Sequence, residues 1–164
     1  MIRGVVTALL LSACSQGAPQ PTPQGPPDLE TAAIARGLVI DPATVGPVGL
    51  YARGGDRLCV IQAGSRTRIG AFVDYGPAQR CTATGSAERQ GDTLRIDLGR
   101  DCRFEASYDG LRIGFPGRLP AACAQACRGR ASFEGLIVDR LSDSPSEAAA
   151  LRDPSGRMLC ASTT

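Results

Sequence analysis

The residues able to do chemistry in this 164-residue chain are 7 cysteines, 16 carboxylates and 3 tyrosines; there is no histidine, and every basic residue is arginine. Without histidine or lysine there can be no Ser-His-Asp triad, Cys-His dyad, Ser-Lys dyad or lysine Schiff base. Imidazole-ligated zinc is excluded as well. Proton transfer near neutral pH favours a group whose pKa lies near the working pH. A carboxylate reaches that range only if burial raises it by about two units or more. Asp101 with Glu105, or Glu134 with Asp139, could be named as the pair of acids a glycoside hydrolase sets about 5–9.5 Å apart. Yet Asp97, Glu105 and Asp139 fall on turns or on outward-facing positions of alternating segments. The chain reads as a non-enzyme, with a carboxylate-dependent glycan hydrolase as the weakest of three functional readings.

Six of the cysteines, Cys59, Cys81, Cys102, Cys123, Cys127 and Cys160, lie in the downstream region as an even set. In an exported chain such a set reads as a disulfide framework. Cys81 shares an alternation phase with the small residues Ala83 and Ala87, and Cys102 shares one with Phe104 and Tyr108. That phasing suggests a Cys81–Cys102 bridge. Only Cys123 and Cys127 are close in sequence, and three intervening residues fit neither a zinc site nor a Cys-x-x-Cys redox motif. No metal and no cofactor is expected.

The seventh cysteine stands apart. Met1-Ile2-Arg3 gives a positive start and Gly4 to Leu11 an apolar core, far short of the roughly 20 residues of a membrane-spanning helix. The tetrapeptide Leu11-Ser12-Ala13-Cys14 resembles the lipobox of bacterial lipoproteins. The resemblance implies cleavage before Cys14, a diacylglycerol on its thiol and an acylated new amine. Attachment through several acyl chains is stable where one chain is marginal. Ser15 follows, and the absence of an aspartate there points, by the same resemblance, to the outer membrane, with the protein facing the periplasm. Residues 15–27, SQGAPQPTPQGPP, carry no charge and almost nothing to bury, so they read as a disordered tether. Proline keeps it extended, giving a stand-off of roughly 40 Å. The organisation expected is a signal peptide over 1–13, the lipidated cysteine and tether over 14–27, and one β-rich domain over 28–164.

What the tether holds is written in alternation. Asp28 can cap a short helix through Leu29 to Ile34, ending at Gly37. Beyond it, Leu94, Ile96 and Leu98 alternate with polar neighbours, as do Phe104, Ala106 and Tyr108, and then Leu111, Ile113 and Phe115. Period-two patterns separated by Gly54-Gly55-Asp56, Gly76-Pro77, Gly91-Asp92 and Asp109-Gly110 predict antiparallel hairpins. Asp109-Gly110 reads as a type I′ turn. Strands are expected near 48–53, 57–63, 67–75, 80–88, 93–98, 102–108, 111–115, 130–140 and 157–161. Ser144-Pro145-Ser146-Glu147 matches a capping box opening a short helix that Asp153-Pro154 stops. The fold class is therefore mainly β: a small antiparallel meander or curled barrel, with one short N-terminal and one short C-terminal helix, stapled by disulfides. With only three tyrosines and four phenylalanines to fill its core, the domain leans on those staples. In outline the architecture resembles the small barrels of periplasmic lysozyme and protease inhibitors, although no inhibitory motif matches.

The formal charge of +2 shows no clustered basic face of the kind nucleic-acid binders carry. The arginine-only bias reads as the mark of a GC-rich genome before it reads as selection for bidentate grip on phosphate or carboxylate. Arg66-Thr67-Arg68 and Arg128-Gly129-Arg130 read first as charges guarding strand edges. Their second reading is contact with anionic glycan or lipid phosphate. The expected function is that of a non-enzymatic, membrane-anchored envelope lipoprotein whose disulfide-stabilised domain binds an envelope protein or glycan or supports the envelope. The alternative is a periplasmic inhibitor of a secreted hydrolase, using the loop at Tyr108-Asp109-Gly110 or at Arg128-Gly129-Arg130. The anchor is tested directly: Cys14→Ser should abolish lipid attachment and move the protein from the membrane to the soluble fraction. Variant protein that stays with membranes after a salt wash would refute it.

Overall fold

The computed structural model describes residues 28–39, 41, 42 and 44–160; Cys14 and the leader lie outside them. The chain divides into two units, Met1–Leu38 and Val39–Thr164. In the first, helix α1 spans Leu29–Ala35, and the Asp28 carboxylate caps it by accepting a hydrogen bond from Thr31 N at 2.9 Å. The chain leaves the helix through Gly37, whose φ of 67° needs no Cβ to be accommodated.

The second unit is built from strands β1 (Gly49–Arg53), β2 (Asp56–Ala63), β3 (Arg66–Asp74), β4 (Arg80–Gln90) and β5 (Thr93–Asp97). They are followed by β6 (Arg103–Tyr108), β7 (Arg112–Gly114), a 3-10 helix (Ala121–Ala126), β8 (Cys127–Arg128), β9 (Ile137–Ser142) and helix α2 (Pro145–Ala150). All pairings are antiparallel: β1 to β7 pair in succession as a meander, β9 follows β7, and β9 pairs with β1 to close an eight-stranded barrel. The two-residue β8 is added to β4 at Arg80 and Cys81.

Closure follows from the alternation. Every strand sends one phase inward: Leu58 and Val60 from β2, Ile69, Ala71 and Val73 from β3, and Leu94 and Ile96 from β5 are buried together. Ile113, Val138, Phe115 and Phe133 complete the filling. The opposite phase of β2 is apolar too. Cys59 and Ile61 face outward and are covered by Ala148 of α2 and by Leu159 and Cys160. That second layer needs a glycine beneath it: a Cβ on Gly70 would stand 2.8 Å from Leu159 O. Ser144 caps α2 as expected, its Oγ accepting from Glu147 N, but the return bond of a capping box is not made: Ser144 N donates to Ser142 Oγ instead.

Three disulfides join Cys59–Cys160, Cys81–Cys127 and Cys102–Cys123. The expected Cys81–Cys102 bridge is not formed, because β5 lies between β4 and β6. Cys81 instead stands directly opposite Cys127 of β8, and the 3-10 helix brings Cys123 to Cys102. Three other expectations are corrected. The segment 130–136 is a loop whose Gly135 (φ 68°) breaks the extended run, so the last strand starts at Ile137. Residues 157–161 form no strand among the described residues; an isolated bridge pairs Arg152 with Met158, and Leu159 and Cys160 are held by packing and by the disulfide. Asp109 keeps a negative φ, so its turn is not type I′; its Oδ1 instead accepts from Leu111 N and Arg112 N.

Adjacent β9 residues show how differently two charged groups can contribute. Asp139 points outward and takes hydrogen bonds from Arg53 Nη2 at 2.9 Å and Arg112 Nε at 2.8 Å. Arg140 points into the barrel end. Its Nη1 donates to Val48 O at 2.7 Å, Nη2 to Gly46 O at 2.7 Å and to Tyr108 Oη at 2.6 Å, and Nε to Gly110 O at 3.0 Å. The guanidinium also lies 5.0 Å from the Tyr51 ring centroid. Exposed pairs contribute little, about 0.2–1 kcal/mol, whereas stranding several acceptors at a half-buried site costs about 1–3 kcal/mol each. Urea denaturation should therefore show Asp139→Ala close to the parent protein in stability. Arg140→Met should lose about 3 kcal/mol or more, and Arg140→Lys most of that, since an ammonium cannot fork to three carbonyls. Equal effects at the two positions would contradict this assignment.

Candidate functional site

Strand β4 is the one strand whose outer edge changes partner. At Arg80 and Cys81 that edge pairs with β8, and from Ser86 to Gln90 it pairs with β5. Between them, residues 82–85 have β3 on one side and no strand on the other. The orientation of the open edge follows from the pairing. Cys81 and Cys127 have Cα atoms 3.9 Å apart, the close approach of a non-hydrogen-bonded antiparallel pair, so Arg80 and Arg128 form the hydrogen-bonded one. Alternation then directs the backbone N–H and C=O of Thr82 and Thr84 toward the gap and those of Cys81 and Ala83 toward β3.

The gap opens into a groove of about 740 Å³. Its walls come from separated segments: the loop after β5 with Gly99 and Arg100, the 3-10 helix with Ala122 and Gln125, strand β8 with Arg128, and the 153–157 loop. Gly85 makes the junction possible, because a Cβ there would collide with Asp97 O. The Cys81–Cys127 and Cys102–Cys123 bridges fix two of the walls, and each contributes about 3–5 kcal/mol in the chain-entropy description.

Charge distinguishes this groove. Arg80, Arg100, Arg128 and Arg157 line it, and Asp153 is the one carboxylate on its walls. Asp153 is already saturated. Its Oδ1 accepts from Ser155 N at 2.8 Å, Ser155 Oγ at 2.6 Å and Arg157 N at 3.0 Å, and its Oδ2 lies 2.9 Å from Arg157 Nη2. Among the described residues, no hydrogen bond or ion pair engages the side chains of Arg80, Arg100 or Arg128, or the hydroxyls of Thr82 and Thr84. The groove thus presents three uncommitted guanidiniums beside an open strand edge. Arg100 is held there at φ 50° and its neighbour Asp101 at φ 64°, a conformation that costs a side-chain-bearing residue about 1–2 kcal/mol.

The residues singled out in the sequence are distributed as follows. Of Arg128-Gly129-Arg130, Arg128 lines the groove, whereas Arg66 of Arg66-Thr67-Arg68 sits exposed at the β2–β3 hairpin, outside it. The Tyr108-Asp109-Gly110 loop is not a free plug: Gly110 is buried beneath Pro42, and Tyr108 Oη accepts from Arg140. The candidate acids go to separate partners. Asp101 lies by Arg103, Glu105 by Arg95, and Asp139 by Arg53 and Arg112, while Glu134 Oε1 accepts from Leu119 N. Hydrogen bonds from Arg112 hold the Asp139 carboxyl below its ordinary range, and those from Arg103 do the same for Asp97. Burial pushes the Tyr51 phenol and the Asp56 carboxyl above their ordinary ranges. Among the described residues no cluster of three metal-ligating side chains occurs. The sequence reading missed Arg80, Arg100 and Arg157 as a set, since they come from unconnected segments. Comparison with family models, with curated proteins and with solved structures finds no match.

Asp153 gives a pH test of the wall. Burial is the largest influence on it and opposes its charge, but the hydrogen bonds from Ser155 and Arg157 together prevail and lower its pKa to about 2. A folded-state pKa below the unfolded value of 3.8 adds stability above about pH 4, and that stability is lost as pH falls toward 2. The difference corresponds to about 2 kcal/mol. Asp153→Asn should therefore lower the thermal midpoint at pH 7, with the gap to the parent closing between about pH 4 and pH 2. A gap that stays constant over that interval would exclude the ionised carboxylate as its source.

Proposed function

We propose that this chain is a non-enzymatic, lipid-anchored protein of the bacterial cell envelope whose barrel domain holds an anionic ligand in the arginine-lined groove. The observation that carries the binding role is the three uncommitted guanidiniums gathered around one groove, whose single carboxylate is already spent on its own loop. Guanidiniums recognise carboxylate and phosphate through paired N–H donors. The inward phase of the barrel is filled by side chains from its eight strands. The envelope location rests on the lipobox-like Leu11-Ser12-Ala13-Cys14 and the uncharged tether after it. Such a leash would let the groove search the space above the membrane within roughly 40 Å of its anchor.

The barrel's outline also suits an inhibitor of a secreted hydrolase, and Arg128-Gly129-Arg130 is the segment that would meet the enzyme. The groove favours the binding reading, since three of its four arginines lie outside that loop. Fluorescence anisotropy with a labelled oligoglutamate, using the full chain in nonionic detergent, tests the reading. Affinity should fall as salt rises from about 20 to about 200 mM, because screening shortens the reach of the groove's charge. The double variant Arg80→Ala, Arg128→Ala should bind about tenfold more weakly or worse, and Arg66→Ala should bind as the parent does. Equal losses in the two variants would show that general charge, not the groove, is responsible.

A further inference from the structure

The groove offers more than positive charge, and the additional feature narrows what fills it. A free phosphate or a sugar acid needs donors alone. Here the floor alternates donor and acceptor: Thr82 and Thr84 each turn a backbone N–H and a C=O into the gap, roughly 7 Å apart along the strand. Only another polypeptide backbone repeats donors and acceptors at that interval. The gap also lies where a neighbouring strand belongs, between the strands that pair with β4 on either side of it, β8 at Cys81 and β5 at Ser86. Four residues of strand span about 13 Å, and β8 and β5 bound the open edge at its two ends, so the stretch of occupant that pairs is short.

Charge selects the occupant's side chains. Arg80 and Arg128 stand at one end of the open edge, and Arg100 lines the groove from the loop after β5, all without partners among the described residues. Arginines at a strand edge repel a basic strand and reward an acidic one. The chain's own tether, residues 15–27, does not fit, since it has no carboxylate and proline recurs along it. Proline would remove the very N–H the edge needs.

We infer that the groove takes a short extended acidic segment of a partner protein, which completes the barrel wall by pairing with Thr82 and Thr84 of β4 while its carboxylates meet Arg80, Arg100 and Arg128. The inference rests on the anion-binding reading of the same groove and adds the backbone pairing to it.

The test uses the full chain in nonionic detergent and a labelled, end-capped pentapeptide alternating glutamate and valine. Two analogues keep its charge, one N-methylated at the glutamates and the other at the valines. Strand pairing uses only one edge of the peptide, so one analogue should bind about tenfold more weakly and the other nearly as well as the parent peptide. Amide hydrogen exchange supplies the second readout. Thr82 and Thr84 should exchange fast in the free protein, unlike Cys81 and Ala83, and should slow about tenfold or more with the peptide but not with inorganic phosphate. If both analogues bind equally and the two threonine amides stay fast, the pairing is overturned while an anion site remains. The same holds if phosphatidylglycerol vesicles bind through Arg80 and Arg128 without protecting those amides. If neither peptide, phosphate nor vesicles bind, this inference and the reading beneath it both fail.

Discussion

The hydrogen-bonded pairing of β1 with β9, strands far apart in the chain, is the constraint on which the rest of this fold depends. It turns an eight-stranded meander into a barrel, in which β4 serves three partners at once. Closure removes the edges of the sheet, which an open curled sheet would have to guard. It also removes half of every strand's side chains from water, so the short alternating segments acquire a common core without a large aromatic content. β4 is long because it must reach β3 along much of its length and still meet β5 beyond Gly85. The stretch where β5 has ended and β8 has not begun is a direct consequence of that length. The groove is therefore a product of the offset between the β3–β4 and β4–β5 pairings.

The two ends of β4 are treated oppositely. At the Arg89 end, polar groups are brought inward and fully engaged: Arg89 Nη1 donates to Val45 O at 2.5 Å and its guanidinium lies 5.0 Å from the Tyr108 ring centroid, while Arg140 gathers Gly46, Val48 and Gly110. Tyr51 Oη donates to Pro47 O at 2.8 Å, so the 45–48 segment is tied across the barrel mouth from several directions. Among the described residues no buried side-chain nitrogen or oxygen is left without a partner. Such saturation is what a structural plug requires, because each stranded polar group would cost about 1–3 kcal/mol. At the Arg80 end the arginines stay solvated and uncommitted. The contrast is what separates the structural arginines from those proposed to meet a ligand.

Alternation made most of the barrel legible in the sequence. The hairpin strands from β1 to β7 were readable because their signal is local: an apolar phase repeating every second residue, punctuated by glycine. The failures have equally local causes. The segment Ala121–Ala126 is small-residue-rich and aperiodic, so neither its 3-10 helix nor the two-residue β8 leaves a pattern. Ala131 and Phe133 alternate convincingly but are core-facing loop residues, because Gly135 turns the chain before the strand begins. The cysteine phases were read correctly as inward, yet phase does not name a neighbour, and strand order placed β5 between the two chosen partners. Arg140 lies two residues beyond Val138 on the same inward phase. Charge alone argued for solvent there, and the carbonyls that receive it come from loops no periodicity describes. The groove was illegible for the same reason on a larger scale: its arginines converge only after closure and disulfide pairing.

Within that groove, Arg100 shows a local cost set against a site. Gly99, Arg100 and Asp101 run consecutively through the left-handed region, where glycine would be the undemanding choice at all three positions. The loop is kept there by Leu98 N donating to Cys102 O, by Cys102 N donating to Gly99 O, by Gly99 N donating to Asp97 Oδ1 and by the Cys102–Cys123 bridge. Asp101 lies 3.7 Å from Arg103, which in turn holds Asp97, so its side chain has a structural occupation at the base of the loop. Arg100 has none among the described residues. A strained residue that gains nothing from its own fold has either drifted or serves something outside it, and Arg100 is one of the residues lining the groove. The backbone strain, the absence of an internal partner and the position on the groove wall all favour a ligand-facing role for that side chain.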